Sequence, residues 1–329
     1  MGAAERQFYN NLCSAVSADG CTVAVWGLNP ESIRKVYLLF KNDHPELFYA
    51  TNAPMLGRSG FDAYSLFLKS IYPRQEIRVR EAALARAVAE VKGKLPPNAD
   101  EFDKEVAVTE YLTGKVRYAI DNARNQDASS ALYAGVAQCS GIANAVKYLF
   151  DNLGIRCITV TGEGQLNGTR AAHSWNVVYI GGKPYHLDVT FIIGNNVSKQ
   201  KPYRFNYFNL SDKQISSTHR WEEGSLPGCA FTYTPPRTPK DAVIMPLGAA
   251  YENSDNAVIV NSLYEFRRIF TNELSGTHGQ LTFMSKIRCD NDDELMKIIS
   301  QACRQCLEQK KMRLSLSISI TGGVVTVSW

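Results

Sequence analysis

The sequence predicts an α+β protein in which helices and antiparallel strands occupy separate stretches. Three observations carry this. Arg80 to Lys92 is Ala-rich, places Leu84, Val88 and Val91 on one face and meets Gly93, a helix with its stop. His173 to Ile180 and Pro184 to Phe191 flank Gly181-Gly182, two strands joined by a two-residue turn. Met312, Leu314, Leu316, Ile318 and Ile320 alternate with polar residues before Gly322-Gly323 and Val324 to Trp329, a second hairpin.

The other elements follow in order. Asn29-Pro30 opens a helix whose Ile33, Val36, Tyr37 and Phe40 recur at helical spacing. Pro96-Pro97 breaks the chain, and Phe102 to Thr113 reads as the next helix, with Gly114 as its stop. A helix starting at Cys139 carries Ile142, Ala143, Val146, Leu149 and Phe150 and ends at Gly154. Arg156 to Thr161 is the first strand after it. From Glu222 to about Asn253, Pro227, Pro235, Pro236, Pro239 and Pro246 mark a linker. A strand–helix–strand–helix–hairpin unit closes the chain, and nothing in it looks catalytic. The expected division is 1–97, an N-terminal α/β extension; 98–222, a core; 223–253, a Pro-rich linker; and 254–329, a small α+β module.

Composition narrows the function. Of 329 residues, 45% are hydrophobic and 21% charged, as in ordinary globular proteins. Lys and Arg number 36 against 32 Asp and Glu, and the positive charges are scattered. No basic stripe suited to a phosphate backbone is present, so no nucleic-acid partner is expected. The uncharged run from Ala128 to Val146 carries Ser129, Ser130, Gln138, Ser140 and Asn144, which argues against a transmembrane span. The first residues lack a basic start followed by an apolar stretch, so no signal peptide is expected within the chain. The compartment stays open. Eight cysteines are too few for a disulfide scaffold at this length. Cys303 and Cys306 form a CxxC inside a helical pattern, which reads as one turn of a helix rather than a zinc or redox site.

The chemistry concentrates between Ser129 and His219. A thiol attacks an amide as the thiolate, which a helix N-terminus, an imidazole and an orienting carboxylate together favour. Cys139 stands where a loop becomes a helix. The Gly181-Gly182 turn pairs Ile180 with Lys183, which sets 173 opposite 190 and makes Asp188 a diagonal neighbour of His173. Taken singly, each residue has a plainer reading: a buried thiol, a hydrogen-bonded histidine, an aspartate capping a turn. Tyr133 and Gln138 are candidates for steadying an oxyanion beside the Cys139 N–H. His186 lies on the Asp188 face, either as a partner of that carboxylate or, in a rival reading, as a metal ligand with His173 and Asp188. Trp175 reads as core packing near the site.

Cys139-Ser140-Gly141-Ile142-Ala143, His173-Ser174-Trp175-Asn176 and Tyr185-His186-Leu187-Asp188-Val189-Thr190 resemble the three signature blocks of the transglutaminase-like superfamily. The resemblance covers Phe102 to Trp221. It extends to Asp43-His44-Pro45-Glu46-Leu47-Phe48-Tyr49 and Tyr207-Phe208-Asn209-Leu210-Ser211-Asp212, which look like flanking segments of bacterial members. It implies a papain-like core with Cys139 as nucleophile, His173 as base then acid, and Asp188 as the orienting carboxylate. It also implies acyl transfer on a peptide or protein substrate, cell-envelope material among the candidates. Hydrolysis by a peptidase or deamidase is the expected outcome. Protein cross-linking and a non-catalytic peptide- or cell-wall-binding module are the alternatives. Ser140 and Ile192 stand where relatives often carry acidic residues, a departure that bears on substrate preference. No cofactor motif, metal site or acidic calcium loop is expected.

Overall fold

The computed structural model describes residues 1–120, 125–166, 169–196, 199–244, 258–274, 279–289, 291–321 and 324–329. The N-terminal part begins with α1 (Ala3–Ala15), β1 (Cys21–Trp26) and α2 (Pro30–Asp43). Two further strands follow, β2 (Met55–Arg58) and β3 (Ala63–Leu68). The Asn29 side chain accepts the Ser32 N–H, so α2 starts where Asn-Pro predicts. The three strands form an antiparallel sheet in the order β1-β3-β2, and α2 lays Ile33, Val36, Tyr37 and Phe40 in a cluster with Val23, Val25 and Leu66.

Next come α3 (Arg74–Lys92) and α4 (Glu101–Lys115), both longer than their apolar patterns suggest. Helix α3 begins after Pro73, and α4 runs through Gly114, where a β-carbon would meet the Tyr203 hydroxyl. Short elements then carry the chain to the core: β4 (Arg117–Tyr118), α5 (Ala128–Leu132) and β5 (Val136–Ala137). Helix α6 (Cys139–Leu153) has Gln138 as its cap residue and ends at Gly154 in the left-handed region, φ 73°. It is buried along most of its length because it packs between the sheet and the preceding helices.

The core sheet comprises β6 (Cys157–Leu166), β7 (Thr169–Ile180), β8 (Lys183–Leu187) and, after α7 (Val189–Gly194), β9 (Tyr203–Phe205) and α8 (Asp212–Ile215), the two-residue β10 (His219–Arg220). Its order is β10-β6-β7-β8, antiparallel throughout. Ile180 pairs with Lys183 across the glycine turn, as expected. The strand expected to run to Phe191 stops at Leu187. There the Asp188 side chain accepts the Phe191 N–H and starts a helix, and this cap outweighs the strand preference of the β-branched run behind it.

The proline-rich segment is not a free linker where it is described. Cys229 is buried, Tyr233 packs on the core, and β11 (Ala242–Ile244) pairs in parallel with β9. Residues 245–253 of that stretch lie outside the described residues. The C-terminal unit has its own apolar cluster and follows the expected order: β12 (Ile259–Val260), α9 (Leu263–Glu273), β13 (Gln280–Ser285), α10 (Asp292–Gln309), β14 (Ser317–Thr321) and β15 (Val324–Ser328). Gly322 and Gly323 lie outside the described residues. Cys303 and Cys306 sit one turn apart on α10, both buried and unpaired. Among the described residues no helix is long and apolar enough to cross a membrane.

Candidate active site

Cys139 is the first residue of α6, and the Gln138 side chain makes no capping bond there. The thiol therefore sits at the positive end of a 15-residue helix whose first turn carries no acidic residue. Burial alone pushes the thiol up. The His173 imidazole, with a smaller contribution from the Ser174 backbone N–H, outweighs that and brings it below the usual thiol range.

His173 lies within β7, buried against Phe191 with ring centroids 4.9 Å apart. Its Nε2 donates to Asp188 Oδ2 at 2.7 Å, which leaves Nδ1 for the thiol. Burial disfavours the imidazolium, but Asp188 and Cys139 more than compensate and raise the ring to about 10. Asp188 is fully buried. Its Oδ1 accepts the Phe191 N–H at 3.1 Å, and its Oδ2 accepts from His173 and, at 2.9 Å, from His219. Burial acts to raise this carboxyl, yet the two imidazoles hold it well below the ordinary carboxylate range.

His219, on β10, was not read from the sequence. An ionised carboxylate only accepts hydrogen bonds, so His219 Nε2 must carry a proton, and Nδ1 bonds to Thr218 Oγ1 at 2.9 Å. Burial and the neighbouring His173 charge lower its proton affinity. His219 thus stays a neutral donor beneath Asp188.

Two glycines make room for these rings. A β-carbon on Gly164 would lie 2.9 Å from His173 Cδ2 and Cγ, and one on Gly162 would lie 2.2 Å from the Arg220 carbonyl oxygen and 2.9 Å from the Trp175 ring. Trp175, 1% exposed, stacks at 15° on His173 with centroids 6.0 Å apart. Its indole N–H donates to His186 Nδ1 at 3.0 Å, so the His186 proton sits on Nε2 and is given to Asp212 Oδ1 at 2.8 Å. Burial lowers the His186 proton affinity, in keeping with that neutral tautomer.

His186 therefore does not join His173 and Asp188, contrary to the rival metal reading. Its side chain bonds instead to Trp175 and to Asp212 of α8. Among the described residues two groups bring three metal-capable atoms within 4.8 Å of one another: His173, Asp188 and His219, and His186, Asp212 and Cys229. In both groups the imidazole and carboxylate atoms are already joined by hydrogen bonds.

Tyr133 and Gln138 have different fates. The Tyr133 ring lies under the Arg80 guanidinium, 4.8 Å from its centroid, and lines a separate cavity with Arg86 and Glu90. Gln138 stays beside the thiol as the cap residue, its Oε1 accepting from Gln126 Nε2 at 3.5 Å. Tyr118 is the tyrosine that lies near the thiol. It pairs with Ala137 through β4 and β5, two residues before Cys139. Burial raises its phenol, with further lifts from the Cys139 and Asp188 charges.

Tyr118, His173 and Phe191 line a cavity of about 320 Å³ together with Ser317, Ile318 and Ser319 of β14. The C-terminal unit thus forms one wall beside the imidazole. Ser319 Oγ donates to Asn195 Oδ1 at 2.6 Å, Gln280 Nε2 to the Asn195 carbonyl at 3.1 Å, and Arg204 to Thr282.

A helix-borne thiol against an antiparallel sheet that carries the imidazole, with the carboxylate just past the end of the next strand, defines a papain-like α+β core. Residues 86–189 match the model of the Transglutaminase-like superfamily. A search of curated proteins found no match. Two solved structures resemble the chain distantly. One, described as a TGase, shares 14% identity over 57% of this chain and 58% of its own, with a TM-score of 0.31. The other, from Cytophaga hutchinsonii and described provisionally as a cysteine protease, shares 15% over 43% of this chain and 63% of its own, with a TM-score of 0.29. The matched parts span about three-fifths of each.

Proposed function

We propose that the chain is a cysteine-dependent acyl-transfer enzyme that hydrolyses peptide or carboxamide bonds, with Cys139 as nucleophile, His173 as acid and base, and Asp188 as the carboxylate that orients the ring. One observation carries the reading: a thiol at a helix N-terminus within reach of an imidazole that a buried carboxylate holds by its far nitrogen. The opposed shifts of Cys139 and His173 favour the thiolate–imidazolium pair before substrate arrives.

The thiolate attacks the carbonyl carbon, and the electron pair moves to the oxygen. The Cys139 N–H, with the Tyr118 hydroxyl, which its raised affinity keeps protonated, is suited to steady that charge. The proton on His173 Nδ1 passes to the amine nitrogen, the C–N bond breaks, and a thioester remains. Water attacks it while Nδ1 takes a proton. The carbonyl re-forms, and acid and thiolate separate. An amine in place of water would give cross-linking.

The test is the pH dependence of Cys139 alkylation by iodoacetamide, in the wild type and in His173→Ala. Labelling that persists below about pH 7 and is lost in the variant supports the pair. Labelling that rises only in the free-thiol range near about 8.5 and ignores His173 leaves a binding module as the better account.

A further inference from the structure

The other flank of Cys139 carries a second cavity, of about 500 Å³, between α2, the β2–β3 hairpin and the start of α6. That volume falls within the range of small-molecule sites, roughly 300–1,000 Å³. Ser140, the residue after the nucleophile, lines it, and so does Gln126, which bonds to Gln138 just before the nucleophile. On the far wall Asn42 Nδ2 donates to Thr161 Oγ1 at 3.4 Å, and Thr161 pairs with Ser174, the neighbour of His173. The cavity therefore abuts the site opposite the one lined by β14.

Its chemistry has three parts. Ile33, Leu38, Pro54, Leu56 and Leu66 make an apolar wall. Arg34 and Lys41, two turns apart on α2, supply positive charge, and among the described residues no carboxylate lines the space. Lys41 is buried with its ammonium on the Leu47 and Ala50 carbonyls, which leaves one N–H uncommitted to them. The carboxylates that act on it from a distance are engaged elsewhere, Asp127 with Tyr72, Ser129 and the Ser130 N–H, and Glu46 with His44. Finally, Asn144, one turn beyond Ser140 and 9% exposed, has an Oδ1 with no hydrogen-bond partner among the described residues. A buried acceptor left unpaired is costly, and a ligand N–H would satisfy it.

We propose that this cavity is a substrate subsite that takes a peptide group with an apolar side chain, an amide N–H and a free carboxylate, such as a peptide's C-terminal residue. The N–H meets Asn144 Oδ1, the side chain lies on the apolar wall, and the carboxylate faces Arg34 and Lys41. The proposal rests on the acyl-transfer reading for its meaning, although binding can be measured without turnover.

The experiment titrates the full chain, carrying Cys139→Ala to silence chemistry, with N-acetyl-L-leucine and with N-acetyl-L-leucinamide, followed by calorimetry or ligand-detected NMR. The carboxylate should bind saturably and the amide about tenfold more weakly, the size expected when one charge-assisted contact is lost. Arg34→Glu, at an exposed position, and Asn144→Leu, which removes the acceptor at nearly the same size, should each weaken the carboxylate by a similar factor. Circular dichroism checks that both remain folded. Equal binding of the two probes, no binding of either, or indifference to Arg34→Glu overturns the subsite. The iodoacetamide profile of the wild type is read separately. A reactive Cys139 with no probe binding sinks the subsite alone, whereas probe binding beside an ordinary thiol sinks the acyl-transfer reading alone.

Discussion

At the scale of single residues, Asp188 has three claims on two oxygens: the cap of α7, the His173 ring and the His219 ring. It must be ionised to meet all three, and the depressed carboxyl gives a sign. A carboxyl held below its unfolded value of about 3.9 stabilises the fold above that pH and loses the contribution as pH falls toward its native value. His173 runs the other way. Raised to about 10, it contributes below its unfolded value of about 6.5 and loses the contribution as pH rises through 10. Turnover that needs the His173 proton should therefore fall as pH rises through about 10, whereas Cys139 alkylation, which needs only the thiolate, should not fall there. Parallel loss of both would break the role assignment. His219→Phe keeps a ring against Trp175 and removes one donor from Asp188. Losing a bond to a charged acceptor costs ~1.5 kcal/mol or more, about a tenfold drop in kcat, with Cys139 still labelled. Unchanged kcat would make His219 packing only.

At the scale of elements, the site depends on β6 having no side chains at Gly162 and Gly164. Gly164→Ala would push the His173 ring from Asp188 and should cut peptide turnover and thiolate labelling together. Gly162→Ala meets a backbone oxygen that cannot swing aside, and overpacking of that kind costs ~1–3 kcal/mol, read as a lower melting temperature. An unchanged melting curve and profile would mean that β6 shifts freely. The same elements explain what could be read in the chain. The Gly-Gly turn set the β7–β8 register, and from it the nearness of His173 and Asp188, because a two-residue hairpin leaves little choice of pairing. The helix after Asp188 was hidden by Val189-Thr190-Phe191-Ile192-Ile193, a run with strand character that a local cap overrides. Tyr118 was not among the candidates, because it lies far from Cys139 in sequence. The parallel β4–β5 pair sets Tyr118 opposite Ala137, two residues before Cys139, and such pairing leaves no local signal. His219 reaches the site on a strand of two residues, too short for any periodicity to show.

At the scale of the whole molecule, the thiol lies between two walls from opposite ends of the chain, the N-terminal α2–β2–β3 unit on one flank and β14 on the other. Nothing in the C-terminal sequence looks catalytic, and among the described residues none of its side chains hydrogen-bonds to Asp188. Its contribution is shape. Strand β14 is the last of its sheet, in the order β12-β13-β15-β14, so one edge is left without a strand partner among the described residues, and Ser317 to Ser319 border the cavity beside His173. A substrate that occupies that cavity needs the space in front of Ser317, an exposed residue of small volume. Ser317→Trp should fill much of the roughly 320 Å³ without disturbing the triad geometry. Lost ground-state binding appears as a raised KM at little-changed kcat, whereas a displaced reacting carbonyl lowers kcat as well. Iodoacetamide, small enough to approach the thiol from solvent, should label Cys139 in the variant at the wild-type rate. A raised KM for peptides with unaltered labelling would make the C-terminal unit part of the substrate groove. Unaltered KM and kcat would leave it a cover over the core.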